Sequence, residues 1–137
     1  MLSPLLKDAT LKVTKALPTG AAATTTSAID TGTNTTGTQP KEVELLLTVP
    51  SLTLAQLPNT KTMTYDIIMS ANSDMSSPTI IFPGVLVQTG VTGTDPTVGN
   101  TFRTRLPSNG ARYWGALATG VATGDGSASS MTLEMVF

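Results

Sequence analysis

The chain has 137 residues, 39% hydrophobic and only 12% charged, with eight basic and nine acidic side chains, no His and no Cys. With no side chain that titrates near neutrality and no soft metal ligand, general acid–base and transition-metal chemistry lack their usual carriers. A net charge of −1 leaves no basic stripe for a nucleic acid, so the composition points to a protein that binds or builds and is not an enzyme. The length fits one domain that buries roughly two thirds of its unfolded surface. Threonine occurs 26 times, beside 12 Gly and 9 Pro. β-Branched threonine suits the solvent side of strands and Gly and Pro punctuate turns, so the expected class is all-β.

Eight strand-like stretches follow in order. Residues 9–16 alternate Leu11 and Val13 with Lys12 and Thr14. Residues 25–31 form a second strand and lead into the polar loop TGTNTTGTQP. Residues 42–49 point Val43, Leu45, Leu47 and Val49 to one side, and a long connection, 50–61, contains Pro58 and Asn59. The helix-like spacing of residues 52–57 within it is too short to sustain a helix. Residues 63–70 set Met63, Tyr65, Ile67 and Met69 against Thr64, Asp66, Ile68 and Ser70. Residues 79–88 are apolar but interrupted by Pro83-Gly84, which predicts a bulge or a strand that changes sheets. Residues 101–106, 112–119 and 131–137 complete the set, the last with Met131, Leu133, Met135 and Phe137 on one face. The expected architecture is a single-domain eight-stranded β-sandwich, with the jelly roll as its commonest form. Residues 1–8 form an N-terminal arm and residues 9–137 the sandwich.

The aromatic residues number only six, so the core must rest on Leu, Ile, Val and Met, with Trp114 as its largest member. A stacking platform for a sugar at Trp114 is the competing use of that side chain. Leu46, Ile68, Ile81 and Val136 fall on faces that should meet solvent, which makes them interface candidates for an oligomer or larger assembly. Arg103, Arg105 and Arg112 are the densest positive group and suit either carboxylates of a neighbouring subunit or a solvated face. Leu2, Leu5 and Leu6 precede the first strand and fit an arm that latches onto a neighbour. The N-terminus lacks the basic and apolar regions of a signal peptide, and no apolar run approaches the ~20 residues of a membrane helix. Met1 reads as a genuine start, with synthesis in the cytoplasm.

Several short patterns resemble chemical motifs. Ala28-Ile29-Asp30-Thr31-Gly32 is similar to the active-site turn of aspartic proteases, in which two copies would each bring one Asp to share a proton. The rest of that pattern is missing, and Asp and Gly are natural at a strand end. The stretches beginning at Asp30 and at Gly124 supply too few oxygens for calcium. The spacing of Gly120, Gly124 and Gly126 lacks the Lys-Ser/Thr ending of a phosphate loop. These read as hairpin turns, so no catalytic residue, cofactor or metal site is expected.

Four segments in succession carry a resemblance: LPTGAAA (17–23) with IDTG (29–32), VELLLTVPSL (43–52), LPNTKTMTYD (57–66) and RLPSNGARYW (105–114). In wording and order the chain resembles the small capsid decoration, or cement, proteins of tailed bacteriophages, of the type found on a Bordetella phage head. The resemblance spans about residue 9 to residue 137. It implies a jelly roll, a homo-oligomer (a dimer before a trimer), and a place on the outer surface of the virion's capsid. There the protein would clamp neighbouring major capsid subunits after head expansion. Such a protein adds modest contacts repeated over a lattice and needs no cofactor, nucleic acid or membrane. A receptor- or glycan-binding β-sandwich of a phage tail is the alternative, and a homodimeric aspartic protease using Asp30 a remote one.

Overall fold

A computed structural model describes residues 11–32, 43–92, 97–107 and 110–136, and within them two antiparallel sheets face each other as a β-sandwich. The strands are β1 (Lys12–Ala16), β2 (Ala23–Thr25), β3 (Ile29–Asp30), β4 (Glu44–Val49), β5 (Thr62–Ser70), β6 (Thr79–Thr89), β7 (Asn100–Arg105), β8 (Tyr113–Thr119) and β9 (Ser130–Val136). One sheet runs β1-β9-β4-β7. The other runs β2-β8-β5-β6, with β3 also paired to β8.

The all-β sandwich expected from threonine content and alternation is what forms, with nine strands among the described residues where eight were expected. The extra strand comes from the 25–31 stretch. β2 pairs with β8 as far as Thr25↔Leu117, and β3 resumes at Ile29↔Trp114, so three residues face two. Thr26 sits in the gap, its N–H donating to the Ala116 carbonyl at 3.0 Å while its Oγ1 accepts from the Ala116 N–H at 3.0 Å. A buried side-chain oxygen thus replaces a backbone acceptor, which satisfies Ala116 but interrupts the ladder.

The core lies between the inner faces. Leu45 and Leu47 from β4, Met131 and Leu133 from β9, Tyr65 and Ile67 from β5, and Trp114 and Ala116 from β8 are all buried. Each large aliphatic side chain withdrawn in this way contributes about 1.5–3 kcal/mol of transfer free energy. Large faces small across the β5–β8 ladder, where Tyr65 lies opposite Ala118 and Ile67 opposite Ala116. Trp114 is 0% exposed, and its Nε1 donates to the Ala111 carbonyl at 2.9 Å. It is therefore a core residue and not a stacking platform.

Pro83-Gly84 makes a bulge and does not carry β6 into the other sheet. The register passes from Tyr65↔Leu86 to Ile67↔Phe82, leaving residues 83–85 opposite Asp66 alone. Gly84 takes the left-handed conformation (φ 57°), and its N–H donates to Asp66 Oδ1 at 2.6 Å. A carboxylate placed on the otherwise half-apolar β5 is thereby explained, since it occupies the donor that the bulge frees.

Candidate interaction surface

The outer face of the β1-β9-β4-β7 sheet is a grid of paired polar groups. Lys12, Glu134, Leu46 and Arg103 form one row, Val136, Glu44 and Arg105 the next, and Thr14, Thr132, Thr48 and Thr101 a third. Opposite charges stand on neighbouring strands, and Arg103 Nη1 lies 3.3 Å from Glu44 Oε2. An exposed pair of this kind is worth at most ~1 kcal/mol, so the grid sets solubility more than stability. Leu46 and Val136 do point outward here, half-buried among these charges.

The outer face of the opposite sheet is dressed by the chain itself. Ile68 faces outward, as its alternation predicts, but it is 0% exposed, which corrects the expectation that it meets solvent. Residues 71–78 fold back over it and bury Met75 against Gly115. A Cβ on Gly115 would stand 2.9 Å from both Met75 Cε and Thr26 Oγ1, so glycine is what lets the cover approach. Met75 and Ser77 adopt positive φ (59° and 48°). Ser70 Oγ donates to the Ser76 carbonyl at 2.7 Å, and the Ser76 N–H donates to Asp74 Oδ1 at 2.9 Å. The Ser76 hydroxyl and N–H hold the Asp74 carboxyl below its ordinary range. Beside this loop lies a shallow open depression lined by Asn72, Asp74, Ser76 and Tyr113. Ile81 is half-buried and packs against the core from within an irregular stretch of β6, which corrects the expectation that it meets solvent. The four apolar candidates therefore do not form one patch. Leu46 and Val136 lie on one side of the sandwich, Ile68 is covered on the other, and Ile81 packs inward.

The arginines are likewise separated. Arg103 and Arg105 line edge strand β7, while Arg112 precedes β8 in the other sheet. Arg112 grips Asp30 through both oxygens, with Nε–Oδ1 2.7 Å and Nη2–Oδ2 2.8 Å, and Asp30 Oδ1 also accepts from the Gly32 N–H at 2.7 Å. The Arg112 hydrogen bond, then that of Gly32, holds the Asp30 carboxyl below the usual range. Within the chain, Asp30 thus ties β3 to the start of β8. Asp125 Oδ1 accepts from Thr19 Oγ1 at 2.9 Å and from the Ser127 N–H at 3.0 Å, which accounts for that Gly-Asp-Gly-Ser stretch as a turn. Leu2, Leu5 and Leu6 lie outside the described residues.

Ile81, Arg103 and Arg105 lie on β6 and β7, but the sequence did not point to the exposed apolar residues of the flank these two strands form. Five large hydrophobics are exposed among the described residues, and Ile80, Val87 (56%), Val91 and Val98 (79%) all belong to β6 or to the segment between it and β7. A buried network stiffens this flank from inside. Tyr65 Oη donates to Gln88 Oε1 at 2.6 Å, and Gln88 Nε2 donates to the carbonyls of Pro50 at 2.7 Å and Val98 at 3.1 Å. Gln88 thus pins an edge strand of one sheet to loops of the other. A lone Gln in an apolar run was the available signal, because a buried amide needs several partners. No known family's profile and no curated protein matches the chain.

Proposed function

We propose that the chain is a structural virion protein that binds the outer surface of a tailed-phage capsid and stabilises contacts between major capsid subunits. What carries the reading is the succession of the four segments at 17–23, 43–52, 57–66 and 105–114, which resembles the cement proteins over nearly the whole chain. The strand order supports it. Counting β2 and β3 as one interrupted strand, the sheets run first-eighth-third-sixth and second-seventh-fourth-fifth, from which we infer a jelly roll. The use of charge supports it too: Asp30, Asp74 and Asp125 close turns and ties within the fold. The apolar β6–β7 flank offers contact area of the kind a lattice protein repeats. The protein acts as a homo-oligomer with the major capsid protein as partner.

Co-sedimentation with expanded heads of the encoding phage, stripped of this protein, tests the proposal. Saturable binding at a fixed ratio to the major capsid protein is expected, and no binding at any concentration would overturn it. Deleting residues 1–8 should weaken that binding if the N-terminal arm contributes.

One observation favours the glycan-binding alternative, the polar depression beside Tyr113. With Trp114 buried, the half-buried Tyr113 is the ring that lines it, with the Arg112 guanidinium 5.2 Å from its centroid. A glycan array that gives signal with the native chain and none with Tyr113→Ala would select that reading.

A further inference from the structure

We propose that the open edge of β7 takes up an extended acidic segment of a different chain as an added strand, with its carboxylates facing Arg103 and Arg105. An edge strand is a template for another strand, and the other edges here are short or already engaged. β2 and β3 are three and two residues long. On the five-residue β1, the Ala16 carbonyl accepts from Thr24 Oγ1 at 3.0 Å. On β6, Pro83 has no N–H, the Gly84 N–H is on Asp66, and the Thr89 carbonyl accepts from Thr97 Oγ1 at 3.3 Å.

β7 pairs with β4 on one side and with no strand on the other among the described residues. Just beyond its end the Leu106 N–H donates to the Val43 carbonyl at 3.0 Å, which makes these two residues a hydrogen-bonded pair. By alternation, Thr104, Phe102 and Asn100 turn their backbone groups to β4, and Arg105, Arg103 and Thr101 turn theirs to the open edge. Asn100 agrees with that phase: its Oδ1 accepts from the Thr101 N–H at 2.8 Å, where an added strand would otherwise bond. Thr104 Oγ1 stands 3.5 Å from the Arg105 carbonyl, too far for a strong bond. The Arg103 N–H and carbonyl, the Arg105 N–H and the Thr101 carbonyl have no partner among the described residues.

Charge selects what can occupy these positions. Thr101, Arg103 and Arg105 are exposed on the outer face, so an added strand sets two alternate side chains directly opposite the arginines. A second β7 would set Arg against Arg, and like charges so placed destabilise a pair. Glu44 stands opposite Arg105 in register, yet its Oε2 lies 3.3 Å from Arg103 Nη1, and Arg105 has no ion pair among the described residues. Each guanidinium carries five N–H donors in a fork that fits a carboxylate. A Glu or Asp opposite each arginine completes the pairing, while main-chain bonds hold the strand. The fitting partner is therefore an extended segment with acidic side chains two residues apart.

The source of that segment, a major capsid subunit, rests on the proposed function. The test uses the isolated chain and synthetic peptides, so its failure and the failure of capsid binding are separate results. The probe is a short peptide of Thr and Val with Glu at two alternate positions, followed by amide NMR. Saturable shifts at Thr101, Arg103 and Arg105 are expected, with the Arg103 N–H newly protected from exchange. Methylating the backbone nitrogen of the peptide residue opposite Arg103 removes a ladder bond and no charge, and should weaken binding about tenfold. The double variant Arg103→Glu, Arg105→Glu should stay folded by circular dichroism, lose the Glu peptide and bind the same peptide with Lys in place of Glu. No saturable shift at millimolar Glu peptide, a methylated peptide as tight as the unmodified one, or a native chain that binds the Lys peptide equally well would each overturn the added strand.

Discussion

The two flanks of the sandwich are closed by different physics. On the β1/β2 flank, Thr24 Oγ1 donates to the Ala16 carbonyl at 3.0 Å, the Leu17 N–H donates to the Ser129 carbonyl at 2.9 Å, and Lys12 and Lys15 keep the edge solvated. On the β6/β7 flank the interior is held by one buried amide, and the exterior presents valines. The first flank is finished within the chain. The second is tied together inside by Gln88 and presents exposed apolar side chains outside.

Removing the inner pin should have the largest effect on the β6/β7 flank. Gln88→Ala leaves the Tyr65 hydroxyl and the Pro50 and Val98 carbonyls without their partner, at ~1–3 kcal/mol for each group that stays buried and unsatisfied. A drop in chemical-denaturation stability of that size or more is expected, with hydrogen exchange rising first around residues 88–98. Tyr65→Phe removes one bond of the same network and should cost ~1–3 kcal/mol, through the stranded Gln88 oxygen. If both variants unfold like the native chain, the amide is not what stiffens this flank.

Gly115→Ala tests the covered face in the same way. The new methyl group must displace Met75 or Thr26, and overpacking of this kind costs ~1–3 kcal/mol. Loss of stability together with release of residues 71–78 to a protease is the expected result. Serine in place of Val87 or Val98 should change monomer stability by less than ~0.5 kcal/mol, because neither side chain packs inside one chain.

pH separates the exposed ties from the core. Asp30, Asp74 and Asp125 are held below their ordinary value of 3.8, so the folded chain binds fewer protons than the unfolded one in that range. Their contribution is therefore complete above pH 3.8 and is lost as pH falls through the lowered folded values. Burial raises the Tyr65 hydroxyl above its ordinary 10.0, so stability should also fall as pH rises past 10.0. Asp30→Asn should flatten part of the acid limb, and Tyr65→Phe should abolish much of the alkaline one, both read from urea midpoints against pH.

Much of the fold was legible because alternation is local. Val43, Leu45, Leu47 and Val49 share an inner face, as do Met63, Tyr65 and Ile67, and Pro83-Gly84 does bulge. What was not legible depends on residues far apart in the chain. Ile68 is on the outer face its period assigns, yet whether water reaches it is decided by Met75 and by the missing side chain of Gly115. The 25–31 stretch reads as one strand until Thr26 is set against Ala116. The arginine group separated because sequence neighbours entered different sheets, and Arg112 found Asp30 across 82 positions. The exposed Ile80, Val87, Val91 and Val98 were missed for the same reason: an apolar run reads as core, and only the strand order shows that β6 is an edge.

The proposed structural role on a phage capsid is tested by the quantitative protein composition of purified virions. A fixed stoichiometry to the major capsid protein is expected, in copy numbers that follow the lattice. Absence from the particle, or a handful of copies confined to the tail, would contradict it.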